Sequence, residues 1–209
     1  MCGICGFVGF EDQGLIKRMC DSIAHRGPDD RGYYLRENVS LGHTRLSIID
    51  LGSGHQPVHN ESEDVWVVFN GEIYNYRKLT THLRKKGHSF YTNSDTEVIV
   101  HAYEEYGLKF TEMLDGMFSL AIWDERKNRL ILARDRIGKK PLYYTEVGNS
   151  ILFSSEIKSI LEFQEMKREV NFDLLSHYLS YRSTPNDVTL FSGIKKLPPG
   201  SVLFKDGAL

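Results

Sequence analysis

The sequence predicts an α+β fold of layered antiparallel sheets, and three observations predict it. Runs with strand-like patterning are joined by short polar turns, so they read as hairpins and not as parallel strands that need long crossovers. Helical patterns come as a pair, at 76–86 and 96–106, instead of alternating with single strands. The composition is that of a chain that folds: 41% hydrophobic, 26% charged and 11% aromatic over 209 residues, which suits one domain around one core. The expected layers are helix, sheet, sheet and helix, although periodicity alone carries only the α+β character.

Each element has its own reason. Residues 3–10 are apolar and spaced by glycines, as in a buried strand that other backbone approaches closely. Leu15, Ile16, Met19, Cys20 and Ile23 then recur at helical spacing, and 25–32 break the pattern with Gly, Pro and charge. Residues 33–35 and 39–44 flank a polar turn and form a hairpin; a second hairpin turns at 60–64 into the apolar run 65–69. In the second helix of the pair, Val98, Ile99, Ala102, Tyr103 and Tyr106 share one face, which covers a sheet. Two more hairpins follow, 117–124 with 129–135 and 142–145 with 151–154, then helical pieces at 156–161 and 172–180. Pro185, Gly193 and Leu197-Pro198-Pro199-Gly200 punctuate a tail of short extended segments.

Several function classes drop out. A formal charge of −2 leaves no electrostatic footprint for nucleic acid or an acidic membrane surface. No apolar run approaches the roughly 18 to 20 residues of a membrane span, and the N-terminus lacks the pattern of a secretory signal, so a cytoplasmic location is expected. Three cysteines do not make a disulfide framework and are expected as thiols.

Cys2 and Cys5 sit in the opening Met1-Cys2-Gly3-Ile4-Cys5. Their spacing is half of a zinc or redox motif, but Cys20 stands apart and no second ligand pair follows; His55 and His59 are four apart with Pro57 between them. No metal site is expected. Cys2 has another prospect. If Met1 is removed, its thiol shares one residue with an α-amine, a group that ordinarily titrates at about 7.7 to 8.0, so nucleophile and base need no partner. Cys5 reads as a small buried hydrophobe in the strand.

Polar residues in apolar settings supply the other candidates. The run 65–69 ends in Asn70-Gly71-Glu72, which is either a plain turn or an amide and a backbone N–H converging on an oxyanion. Ser94-Asp95-Thr96-Glu97 reads as a capping box, Ser94 capping and Glu97 reciprocating, which leaves the Asp95 carboxylate available to an ammonium group. Arg45 interrupts a strand-like run and calls for a carboxylate, protein or ligand.

Taken together, Met1-Cys2-Gly3-Ile4, His25-Arg26-Gly27-Pro28-Asp29, Gly42-His43-Thr44-Arg45-Leu46-Ser47-Ile48, Phe69-Asn70-Gly71-Glu72-Ile73-Tyr74-Asn75, Ser94-Asp95-Thr96-Glu97, Asp115-Gly116-Met117-Phe118 and Arg134-Asp135-Arg136-Ile137-Gly138 with Lys140-Pro141-Leu142 resemble the class II glutamine amidotransferase domain. The closest resemblance is to the N-terminal glutaminase half of glutamine-hydrolysing asparagine synthetases. It spans essentially the whole chain and implies a four-layer αββα N-terminal-nucleophile hydrolase sandwich. It implies hydrolysis of L-glutamine with Cys2 as nucleophile, its freed amine as base, and Asn70 and Gly71 as the oxyanion hole. Arg45 is expected to hold the substrate α-carboxylate, Asp95 and Glu72 the α-amino end, and the backbone of Leu46, Ser47, Ile48 and Ile49 to complete the pocket. Arg26, Gly27, Pro28 and Asp29 are expected to order a loop over the substrate.

The resemblance also places this domain at 1–209, with 186–209 leading toward a C-terminal synthetase domain that is not in the sequence. That domain, and not this one, is expected to use ATP and Mg to activate aspartate, since no pyrophosphate-loop motif is found here. No cofactor is expected for the glutaminase; its partners are L-glutamine and the synthetase domain, and a homodimer is left open. Two rivals stay in view: an amidotransferase with a different acceptor, against which Arg45-Leu46-Ser47-Ile48 speaks, and a non-catalytic module that keeps the fold and retains Met1.

Overall fold

A computed structural model describes residues 1–47 and 54–207. The first sheet has six strands, all antiparallel to their neighbours, and its centre is the N-terminus. β1 (Gly3–Val8) lies between β3 (Val39–Arg45) and β9 (Ser150–Ser154); β2 (Asp30–Arg36) extends one side, β8 (Tyr143–Val147) and β10 (Lys195–Lys196) the other. The second sheet has five, in the order β11 (Val202–Asp206), β7 (Arg129–Arg134), β6 (Gly116–Asp124), β5 (Val65–Ile73) and β4 (Val58–His59). The tail that the sequence reads as loose extended pieces therefore supplies an edge strand to each sheet.

Helices cover both outer faces. α1 (Gln13–Ser22) and the single-turn α4 (Ile157–Ile160) pack on the six-stranded sheet, α2 (Tyr76–Lys85) and α3 (Glu97–Tyr106) on the other, and α5 (Leu175–Tyr181) lies near the C-terminus. The one core expected from length is in fact three apolar layers. Cys5, Phe7, Ile16, Met19 and Leu152 fill the space under α1. Ile4, Leu41, Val68, Ala121, Leu132 and Phe153 fill the space between the sheets. Phe69, Leu83, Val98, Ile99, Leu120 and Ile131 fill the space under α2 and α3. A sheet covered on both faces buries every residue of its central strands, which is why β1 and β3 are buried end to end and show no alternation.

Local chemistry sets the boundaries. β1 stops at Val8 instead of residue 10 because Gly9 turns the chain at φ +109°. α1 starts where the Asp12 carboxylate accepts the Leu15 N–H at 2.7 Å, an N-cap. The predicted helix at 172–180 is a 3-10 turn, Phe172–Leu174, running into α5. β2 begins at Asp30, in a stretch read as loop: Asp30-Arg31-Gly32 has no apolar period, and pairing with Arg45-Thr44-His43 makes it a strand.

The predicted capping box at 94–97 does not form. Ser94 Oγ accepts from the Thr96 N–H at 3.1 Å, and α3 begins at Glu97. The Glu97 carboxylate reaches back to the N–H groups of Tyr91 and Thr92 at 2.8 and 2.7 Å and to the Thr92 hydroxyl at 2.6 Å. Two tight backbone donors in the preceding loop outcompete the expected partner. Among the described residues, no helix is long and apolar enough to cross a membrane.

Candidate active site

The start of β1 and the end of β5 come from different sheets and meet at the mouth of the sandwich. There an open cleft is lined by Cys2, Arg45, Leu46, Asn70, Gly71, Glu72 and Asp95, by Lys140, which the sequence offers only as part of a motif, and by Gln56, which carries no sequence signal of its own.

Cys2 precedes β1, and its thiol lies 3.4 Å from the Leu46 N–H and 3.7 Å from the Leu46 carbonyl, so the end of β3 steadies it. Behind it, the Arg26 Nε donates to the Cys2 carbonyl at 3.0 Å while Nη1 pairs with Glu156 at 2.9 Å. Arg26 thus anchors the backbone that presents the thiol. The adjoining Gly27-Pro28-Asp29 runs along the end of β3. A Cβ on Gly27 would collide with the Thr44 and Arg45 backbone, the Asp29 N–H donates to the Arg45 carbonyl at 3.0 Å, and its carboxylate accepts the Ser47 N–H at 2.8 Å. Ile48 and Ile49 lie outside the described residues.

The metal and redox reading of Cys2 with Cys5 has no geometric support. Cys5 points into the layer under α1, where its sulfur lies 3.4 Å from that of Cys20. The cysteine that stands apart in sequence is the actual neighbour, and burial pushes the Cys5 thiol up, away from the thiolate form.

β5 supplies the polar wall. Among the described residues, β4 pairs only with Val67 and Trp66, so no strand covers the outer edge of β5 from Phe69 onward. Three N–H groups face outward there, at alternate residues. The Phe69 N–H donates to the Gln56 side chain at 2.7 Å and the Ile73 N–H to the Asp95 carboxylate at 2.9 Å. Gly71 lies between them with the same parity. Across the ladder, both backbone groups of its partner Phe118 bond to Asp135, so the Gly71 N–H points out to the cleft. On its inter-sheet face, Asn70 is 1% exposed, and its amide nitrogen has no hydrogen-bond partner. A buried donor without an acceptor is costly in a folded protein and marks a place where one is meant to arrive.

The electrostatics are divided. Arg45 and Lys140 are both buried at the lining, which Asp95 and Glu72 share with the opposite charge. Burial pushes the Asp95 carboxyl up to about 6, with the Glu72 charge adding to it, against the pull of the Ile73 N–H. Lys140 is carried in by a turn built on Asp135, whose carboxylate accepts the N–H groups of Ile137, Lys139 and Lys140 at 2.9 to 3.2 Å. Its ammonium reaches the Met1 sulfur at 3.6 Å. The Arg134–Gly138 motif is accordingly a support: Arg134 donates to the carbonyls of Gly138, Lys140 and Leu197.

Comparison with known proteins gives the family and the fold. The sequence pattern of a family described as the glutamine amidotransferase domain matches residues 1–208. Asparagine synthetase [glutamine-hydrolyzing] 1 of Bacillus subtilis is 42% identical over 208 residues, 95% of this chain and 33% of the relative. Asparagine synthetase [glutamine-hydrolyzing] of Zea mays is 47% identical over 77% of this chain and 28% of its own length. Amidase chry2 of Gibberella zeae is 44% identical over 90% and 28%. The chain spans about a third or less of the length of these relatives. Among solved structures, glutamine phosphoribosylpyrophosphate amidotransferase from B. subtilis, complexed with ADP and GMP, superposes with a TM-score of 0.70 at 20% identity, over 99% of this chain and 47% of that one. That likeness shows the fold, a four-layer αββα sandwich.

Proposed function

The chain belongs to the glutamine amidotransferase domain family and is homologous to glutamine-hydrolysing asparagine synthetases, and on that premise we propose that it hydrolyses L-glutamine to L-glutamate and ammonia with Cys2 as nucleophile. Removal of Met1 frees the Cys2 amine. That amine takes the thiol proton as the sulfur attacks the carboxamide carbon, and the new oxyanion lies against the Asn70 amide and the Gly71 N–H. The amine then returns the proton to the departing ammonia, and water opens the thioester to release glutamate and restore the thiol. Arg45 takes the substrate α-carboxylate; Asp95 and Glu72 take the α-ammonium, and Leu46 and Ser47 line the backbone side. A simple amide offers no α-ammonium to Asp95 and Glu72, which gives the pocket its preference for glutamine.

The single observation that carries this reading is the buried, unpartnered Asn70 amide at the cleft that also holds Cys2. Ammonia release from glutamine by purified variants tests it. Cys2→Ala is expected to abolish release and Cys5→Ala to leave most of it; the reverse pattern, or activity in a Met1-retaining protein, would overturn it.

In the whole protein the ammonia passes to a synthetase domain downstream of 186–209, which makes asparagine from aspartate in the cytoplasm. ATP and Mg belong to that domain, and glutamine hydrolysis in this one uses no cofactor. Uncovered apolar side chains on α5, Leu179 and Tyr181 among them, support a surface that a further domain or a second copy in a homodimer covers.

A further inference from the structure

Far along α3 from the cleft-lining residues, four side chains converge from three segments. Glu61 comes from the turn after β4, His88 from the loop after α2, and His101 and Glu104 from one face of α3. Their ligand atoms all lie within 4.8 Å of one another. The His101 Nδ1 is 3.5 Å from Glu61 and 3.4 Å from Glu104, and the His88 Nδ1 is 3.9 and 3.7 Å from the same two carboxylates. Ligands bound tetrahedrally at the usual zinc distances stand about 3.3 Å apart, so small rotations close this set around one ion.

The unmet bonding points the same way. His101 is fully buried, yet neither ring nitrogen has a hydrogen-bond partner, and neither does the buried Glu104 Oε2. Carboxylates stand 3.4 to 3.5 Å from both ring nitrogens without a hydrogen bond being made, and one cation at the centre answers His101 Nδ1 and Glu104 Oε2 together. The far nitrogens are also provided for. His101 Nε2 faces Glu97 at 3.5 Å and His88 Nε2 faces Glu105 at 3.3 Å, the outer carboxylates that orient metal-bound imidazoles. The two converging carboxylates are braced as well: the Ser89 N–H donates to Glu61 at 2.6 Å, and the Asn60 amide donates to Glu104 at 2.7 Å.

We propose that Glu61, His88, His101 and Glu104 form a structural site for a divalent transition-metal ion, zinc in particular. Two imidazoles with two carboxylates exclude a magnesium or calcium preference and suit zinc. The ion ties the turn after β4 and the loop after α2 to α3, and it takes no part in glutamine hydrolysis.

Calorimetric titration of the chelator-stripped protein with zinc chloride tests the site, with cobalt chloride as a spectroscopic probe. One zinc per chain is expected, together with the visible bands of four-coordinate cobalt free of thiolate charge transfer. His88→Ala is expected to weaken zinc at least ~100-fold and Glu105→Gln by about 10- to 100-fold. The exposed Glu61→Gln covers the case in which His88→Ala does not fold, and it must weaken zinc too. Zinc binding that all three variants retain, cobalt–thiolate bands, or no binding at all would overturn the proposal.

Discussion

Asn70 carries the largest expected effect of any single side chain apart from Cys2. Its buried amide nitrogen has no hydrogen-bond partner, and in the proposed reaction it donates only once an oxyanion forms, so it is expected to serve the transition state and not the fold. Asn70→Ala is expected to lower kcat by about 10²- to 10³-fold, roughly 3 to 4 kcal/mol, with little change in KM and no loss of thermal stability. Asp95 sets function against stability. Its folded pKa, raised to about 6, means the fold favours its protonated form. That contribution is complete below the unfolded value near 3.8 and is lost as pH rises through about 6, above which the charge costs on the order of 3 kcal/mol. Asp95→Asn should therefore raise the urea midpoint at pH 8 far more than at pH 4, while glutamine binding is lost. In the sequence Cys2 stood out through its place after a cleavable Met1, and Asn70 and Asp95 as polar residues in apolar settings. Gln56 did not stand out, since it matters only because β5 has a bare edge, and Lys140 entered only within a motif, since its place at the cleft depends on the Asp135 turn.

Among the elements, β5 shows how a fold makes a site from an incomplete ladder. Two residues of β4 leave the outer N–H groups of Phe69, Gly71 and Ile73 to be claimed singly, by Gln56, the cleft and Asp95. Strand patterning revealed β5 but not the length of its neighbour, which long-range pairing decides. The same limit explains β2, whose polar start is strand only by virtue of β3. The sequence signature of a capping box misleads for a related reason: spacing identifies a competent acceptor, and tertiary structure picks its donors. Glu97 is fully buried, and against the upward push of burial its carboxyl is held below the ordinary value by His101 first, then by the Thr92 hydroxyl and the two backbone N–H groups it accepts. Removing it leaves Tyr91 and Thr92 unsatisfied. Glu97→Ala is expected to cost about 2 to 4 kcal/mol in urea unfolding and to raise KM for glutamine, because the loop it ties down continues into Ser94 and Asp95.

For the molecule as a whole, the sandwich is a device for bringing a chain terminus and a strand end together. Burial of β1 on both faces fixes the direction in which Cys2 emerges, and the inter-sheet layer fixes its distance from β5. The fold class and the pairing of helices were legible because both follow from turn lengths and element order. Three apolar layers in place of one core were not, since composition counts apolar residues without saying how many interfaces divide them. The central claim is that a freed N-terminal cysteine attacks glutamine at this mouth. It is tested most directly by mass spectrometry of the N-terminal peptide after the active protein reacts with an electrophilic diazoketone analogue of glutamine. One label is expected, on the sulfur of Cys2, in a peptide that begins at Cys2 with a free amine, and no label in Asp95→Asn. A label on another residue, or labelling and activity in protein that retains Met1, would contradict it.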